Sequence, residues 1–173
     1  HNGTPTLFLD EVPVFDALMW GLPPASDGYL LAACARRYAE AGVHLHTFDV
    51  GTAGASPEWG ERFDFSSLAA RFGRLLDADP EARVHLRVHL EMPPWWRHLH
   101  PEECELLSDG TRAAQSYASA LWRSQAAEFL EALVGAVTRA GLRERVFAYQ
   151  VGAGGTGEWV KGSGAMSAAC GDY

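Results

Sequence analysis

The chain has 173 residues, 47% of them hydrophobic and 21% charged, which suits one folded domain and argues against wholesale disorder. A formal net charge of −8 argues against nucleic acid or an anionic membrane as the main partner, because binding phosphate takes a basic surface. No apolar run approaches the ~18 residues of a membrane span and nothing reads as a signal peptide, so the compartment, cytoplasmic or secreted, stays open.

In chain order, Thr6 to Leu9 and Val12 to Phe15 flank Asp10-Glu11 as a hairpin, whose second arm is expected to continue as a strand to Trp20. Asp27 offers a helix N-cap before apolar positions Leu30, Leu31, Cys34 and Tyr38, and Gly42 ends that helix. A strand from Val43 to about Asp49 follows. Asp64 or Ser66 caps a second helix carrying Leu68, Phe72, Leu75 and Leu76, which closes at Asp79-Pro80. Arg83 to Met92 is the next strand, and a loop then holds Pro93-Pro94-Trp95-Trp96 and His100 to Glu103. The third helix places Trp122, Ala126, Phe129, Leu130, Leu133 and Val137 on one stripe, with Gly141 past its end and a strand from Val146 to Val151 beyond.

Strands alternating with helices predict a parallel sheet with right-handed crossovers, either open and doubly wound or part of a (β/α)₈ barrel. The strand Arg83 to Met92 helps choose. His85, Arg87, His89 and Glu91 share one face, and Val84, Leu86, Val88, Leu90 and Met92 the other. A polar face has no place between two helix layers, whereas it suits a barrel lumen. The predicted architecture is therefore the first four strand–helix units of a barrel, residues 1–173 forming one partial catalytic domain behind a leading hairpin.

The candidate chemistry gathers where these strands end. Trp20, Asp49 and Glu91 close predicted strands, and Pro93-Pro94 halts the third just before Trp95 and Trp96. Of that adjacent pair, one indole is expected as a sugar platform and one in the core. The last strand runs into Gly152-Ala-Gly-Gly-Thr-Gly157, which delivers Glu158 beside Trp159. Those glycines match a dinucleotide-binding spacing, but the residues after Gly157 make a poor first helical turn and no further strand offers a ribose-binding acid. No cofactor is expected. The pairs His44/His46, His85/His89 and His98/His100 raise a metal site, with His89 and Glu91 its foremost members, yet most of these histidines lie at strand starts or in a loop. Cys34, Cys104 and Cys170 form neither a disulfide framework nor a CxxC pair and read as free thiols.

With these residues in view, the chain resembles the N-terminal half of a clan A glycoside hydrolase, the barrel group that includes many β-galactosidases. The resemblance rests on the leading hairpin, the Pro-Pro-Trp-Trp turn after the third strand and the carboxylate after the fourth. It implies hydrolysis of β-glycosidic bonds by a retaining two-carboxylate mechanism with Glu158 as acid/base, Gly157 standing where the clan usually has asparagine. With the residues at the predicted strand ends, a carbohydrate ligand is expected to be contacted by Trp20, Asp49, His89, Glu91, Trp95, Trp96 and Trp159. The clan's nucleophile follows a seventh strand that this sequence does not contain, so the chain is expected to be a truncated barrel, inactive alone, or to pair with a second copy as a homodimer of half barrels. A non-catalytic carbohydrate-binding domain and a metal-dependent barrel hydrolase are the alternatives.

Overall fold

A computed structural model describes residues 3, 5–14, 17–20, 28–51, 63–154 and 158–159, with only the backbone of 28–31. The hairpin forms as expected from strands β1 (Phe8–Leu9) and β2 (Val12–Pro13), paired antiparallel. Both turn residues adopt left-handed backbone, Asp10 at φ 50° and Glu11 at φ 65°, the twist that lets a two-residue turn join antiparallel strands. The second arm does not continue to Trp20. β2 ends at Pro13, and a separate strand, β3 (Leu18–Met19), joins a different sheet.

Helix α1 (Gly28–Glu40) ends where Gly42 turns left-handed at φ 77°, the Val43 amide bonding back to the Tyr38 carbonyl. Its proposed cap, Asp27, lies outside the described residues. Tyr38, expected on the buried stripe, is exposed. Strand β4 (Leu45–Gly51) follows, then α2 (Ser66–Ala78), whose first free amide at Ser66 donates to Asp64 Oδ1 at 2.9 Å. After β5 (Arg83–His89) the expected loop proves to be structured. Pro94 opens a short helix, α3 (Pro94–Leu99), as proline at a first helical position favours. A 3₁₀ turn and an antiparallel pair, β6 (Cys104–Leu106) and β7 (Arg112–Gln115), come next. Asp109-Gly110 form the turn between them, with Gly110 at φ 83°. Helix α4 (Ala120–Arg139) is capped by Ser119, whose Oγ accepts from the Trp122 amide at 2.9 Å. Gly141 leads into β8 (Val146–Gly152).

The main sheet has the order β3-β4-β5-β8, every neighbour parallel and in chain sequence. One face carries Met19, Phe48, Val50, Val84, Leu86 and Val88, packed into a single core with Ala35 of α1, Phe72 and Leu75 of α2, and Phe129 and Leu133 of α4. The register places Asp49, Arg87 and Gln150 side by side on the opposite face, with Gly51, His89 and Gly152 one step nearer the strand ends. The hairpin sits at the other end, where Arg83 at the start of β5 reaches Asp10 at 3.2 Å and a cleft is lined by Leu9, Val12, His44 and Leu45. No helix among the described residues is long and apolar enough to cross a membrane.

Candidate functional site at the strand ends

The polar face gathers Asp49, Arg87, His89, Glu91 and Trp20. Asp49 Oδ1 accepts from Arg87 Nη1 at 3.0 Å and lies 3.0 Å from His89 Nε2. The far ring nitrogen, His89 Nδ1, stands 3.8 Å from Glu91 Oε2. From α2, Arg71 Nη2 donates to the Asp49 carbonyl at 2.6 Å. The Arg87 guanidinium lies 4.4 Å from the centre of the Trp20 indole, a cation–π contact that ties the short edge strand to β5. Alternation along the strands produces this cluster, since residues 49, 87 and 89 occupy one face in the observed register.

The two carboxyl groups are driven in opposite directions. Burial alone would raise Asp49, but the His89 hydrogen bond and the charges of His89, Arg87 and Arg71 outweigh it and hold the group below the usual carboxylate range. Burial raises Glu91, against weaker opposition from a backbone hydrogen bond, His89 and Arg87. The site thus holds an ionised aspartate and a carboxyl biased toward its neutral form.

Gln115, which no local sequence pattern marks, organises the loops around this cluster. It is fully buried at the end of β7, accepts from the Met92 amide at 3.1 Å and donates to the Ala153 carbonyl at 3.0 Å. One side chain thereby joins the loop after β5, which carries Glu91, to the loop after β8, which leads to Glu158. Trp122 Nε1 adds a bond to the Leu90 carbonyl at 3.0 Å. The Gly154 amide donates to the Glu158 carbonyl at 2.6 Å, and Glu158 itself is exposed. The Trp159 ring packs edge-on against Tyr117 and Trp122, with centroids 5.4 and 6.5 Å away, while over half of the residue stays exposed.

Trp20, Asp49, His89 and Glu91 are therefore brought together, and Glu158 and Trp159 are carried on the neighbouring loop. Trp95 and Trp96 part company. Trp95 is exposed on α3, whereas Trp96 is 1% exposed, its Nε1 bonded to Gln125 Oε1 at 2.6 Å. Trp96 is a core residue and is corrected out of the sugar-contacting set, because successive helical residues point about 100° apart and only one can face solvent here.

His44 and His46 serve the opposite end of the sheet. His44 Nδ1 and His46 Nε2 each lie 2.9 Å from one oxygen of Asp79, at the end of α2. His89 presents its two nitrogens to two different carboxylates, so these three groups do not converge on one point, and no metal-binding group of three or more side chains occurs among the described residues. Cys34 and Cys104 are free thiols; Cys170 lies outside the described residues. Arg87, already on the polar face by alternation, finds its partner Asp49 38 residues away, and one further member of the site is legible only in space: Gly51, where a Cβ would fall 2.5 Å from the His89 carbonyl oxygen.

Fold and site together define a parallel α/β domain with a polar acid–base cluster at its strand ends. No protein-family model and no curated protein matches the chain.

Proposed function

We propose that the chain forms the first four units of a (β/α)₈ barrel that binds β-glycosides and contributes the acid/base glutamate, Glu158, to their retaining hydrolysis. The observation that carries this reading is the Asp49–Arg87–His89–Glu91 cluster, placed with Trp20 at the carboxyl ends of parallel strands. Such ends are where barrel enzymes assemble their sites. The barrel assignment draws support from a strand order without reversal, from helices gathered over one apolar face, and from a polar opposite face. A doubly wound sheet would reverse its order and cover both faces.

Each part has a chemical role in this reading. Arg87 holds the Trp20 indole from one side, and Trp20 is 58% exposed, leaving aromatic surface on which the C–H face of a sugar can stack. Asp49, His89 and Glu91 offer acceptors and donors to hydroxyl groups. Glu158 protonates the glycosidic oxygen and then, as carboxylate, activates the water that releases the sugar. The nucleophile of that mechanism is a second carboxylate, which the clan resemblance puts after a seventh strand. Burial of a neutral polyol in so acidic a chain involves no charge repulsion, consistent with the net charge of −8.

The test combines binding with turnover. Calorimetry with lactose and cellobiose is expected to show saturable binding of one of them, weakened about tenfold or more by Trp20→Ala, equivalent to roughly 1.4 kcal/mol. Where hydrolysis of aryl β-galactosides or β-glucosides is measured, Glu158→Gln lowers kcat by about 10²- to 10⁴-fold while leaving sugar affinity within a few-fold. A folded chain that binds neither disaccharide, or turnover indifferent to Glu158→Gln, rejects the reading.

A further inference from the structure

Asp49 and Glu91 flank a single imidazole from opposite sides. His89 Nε2 lies 3.0 Å from Asp49 Oδ1, and His89 Nδ1 lies 3.8 Å from Glu91 Oε2. Asp49 also receives Arg87 at 3.0 Å, and its carbonyl receives Arg71, so its carboxylate is the fixed negative end of the series. An ionised carboxylate only accepts, which requires the proton of a neutral His89 to sit on Nε2. The lone pair of Nδ1 then points toward Glu91. A lone pair facing a carboxylate is repulsive, and the contact becomes attractive when one proton lies between them.

We propose that His89 and Glu91 share one proton, with Asp49 fixing the tautomer, so that Glu91 is a second acid–base group of this site alongside Glu158. Two forms of equal net charge interconvert. In one, Glu91 is a neutral carboxyl and His89 a neutral imidazole. In the other, the Oε2–H bond has broken and an Nδ1–H bond has formed, leaving a carboxylate and an imidazolium held between Asp49 and Glu91. The observed 3.8 Å is about 1 Å longer than a hydrogen bond, so direct transfer requires the two groups to close that distance.

The surroundings suit this arrangement. Arg87 on β5 and Arg71 on α2 face Asp49, keeping the proton at the far end of the series. His85, two residues before Arg87, is biased toward its neutral form by burial and then by the Arg87 charge. The raised carboxyl of Glu91 and the lowered one of Asp49 follow the same division, and environments that separate two carboxyl groups assign acid and base between them. His89 and Asp49 are positioning residues in this scheme. Glu91 is the group that meets a ligand hydroxyl: a proton exchanged with that hydroxyl changes the charge of the site by one, whereas the transfer between Glu91 and His89 leaves it unchanged. The identity of that ligand rests on the glycoside reading, whereas the shared proton does not.

The experiment is nitrogen and carbon NMR of the ligand-free chain from pH 4 to 9. The His89 ring is expected in the Nε2–H tautomer at high pH, and Glu91 Cδ and His89 Nδ1 are expected to report the same two midpoints, as coupled groups do. His89→Gln should collapse the Glu91 titration to a single midpoint, and Glu91→Gln should do the same for His89. An Nδ1–H tautomer, or a Glu91 curve unmoved by His89→Gln, overturns the proposal. Should a variant fail to fold, the wild-type tautomer and the shared midpoints decide the matter. Lactose and cellobiose are then added: coupled titration without sugar binding upholds the relay while rejecting the glycoside reading, and sugar binding with independent titrations does the reverse.

Discussion

Gly51 shows how closely the site is fitted at the residue scale. It pairs with His89 across β4 and β5, and a Cβ there would stand 2.5 Å from the His89 carbonyl oxygen and 2.7 Å from the His89 Cβ. Both atoms belong to the neighbouring strand's backbone or its root, so a methyl group cannot be accommodated by swinging a flexible side chain aside. Gly51→Ala must push β5 away or shift His89 along it, and either movement lengthens the 3.0 Å contact with Asp49. The expected cost is about 1–3 kcal/mol, typical of overpacking. Urea denaturation measures that loss, and the His89 nitrogen shifts report the broken contact. A variant with the wild-type midpoint and unchanged His89 shifts would show that the two strands separate there without effort.

At the scale of elements, the β6–β7 hairpin acts through one side chain. Gln115 spans the Met92 amide and the Ala153 carbonyl, two backbone groups in loops that follow different strands. Leucine at this position keeps much of the volume and removes both bonds, leaving a buried donor and acceptor unpaired. That costs about 1–3 kcal/mol per unsatisfied group. The effect should also be local. Amide exchange at Met92 and Gly154 is expected to quicken in Gln115→Leu more than at Leu86 or Val88 in the centre of β5, because the loops are no longer joined. Gln115→Glu, which still accepts from Met92 but cannot donate to Ala153 when ionised, should loosen the loop after β8 and leave the Met92 amide protected. Uniform acceleration at all four amides in Gln115→Leu would instead mean that the hairpin supports the whole sheet and has no special role at the site.

At the scale of the molecule, periodicity carried the main architecture, while spatial partners carried the site. The alternation in Arg83 to Met92 foretold both faces of β5, and the stripe from Trp122 to Val137 foretold α4, because those patterns are set by local geometry. The hairpin of β6 and β7 escaped notice because its strands are too short to show a period. Alternation put Arg87 on the polar face but could not name its partner Asp49, 38 residues away, and Gln115 carried no local signal because Ala153 is equally distant. The pairing of His44 and His46 with Asp79 is of the same kind, and it governs how the fold meets acid. His46 is fully buried on the apolar face, and burial lowers its pKa despite the neighbouring Asp79. Its Nδ1 has no partner among the described residues, so a second proton there would meet no acceptor. A lowered folded-state value means that His46 contributes its stability fully above the unfolded value of 6.5 and loses it as pH falls toward the folded one. Asp79 and Asp49, both lowered, keep their contributions above about 3.8 and lose them only in stronger acid. Glu91 runs the other way: its raised value favours the fold below 4.5 and ceases to do so as pH rises through the folded-state value. Between pH 7.5 and 5 the falling terms are therefore His46 and His85, whose value burial and Arg87 also lower. Thermal melts across that range are expected to show the wild-type Tm dropping, and His46→Gln, which cannot take up a proton, should drop less steeply from its own lower starting point. Equal slopes in the two proteins would place the acid sensitivity outside the His44–Asp79–His46 cluster.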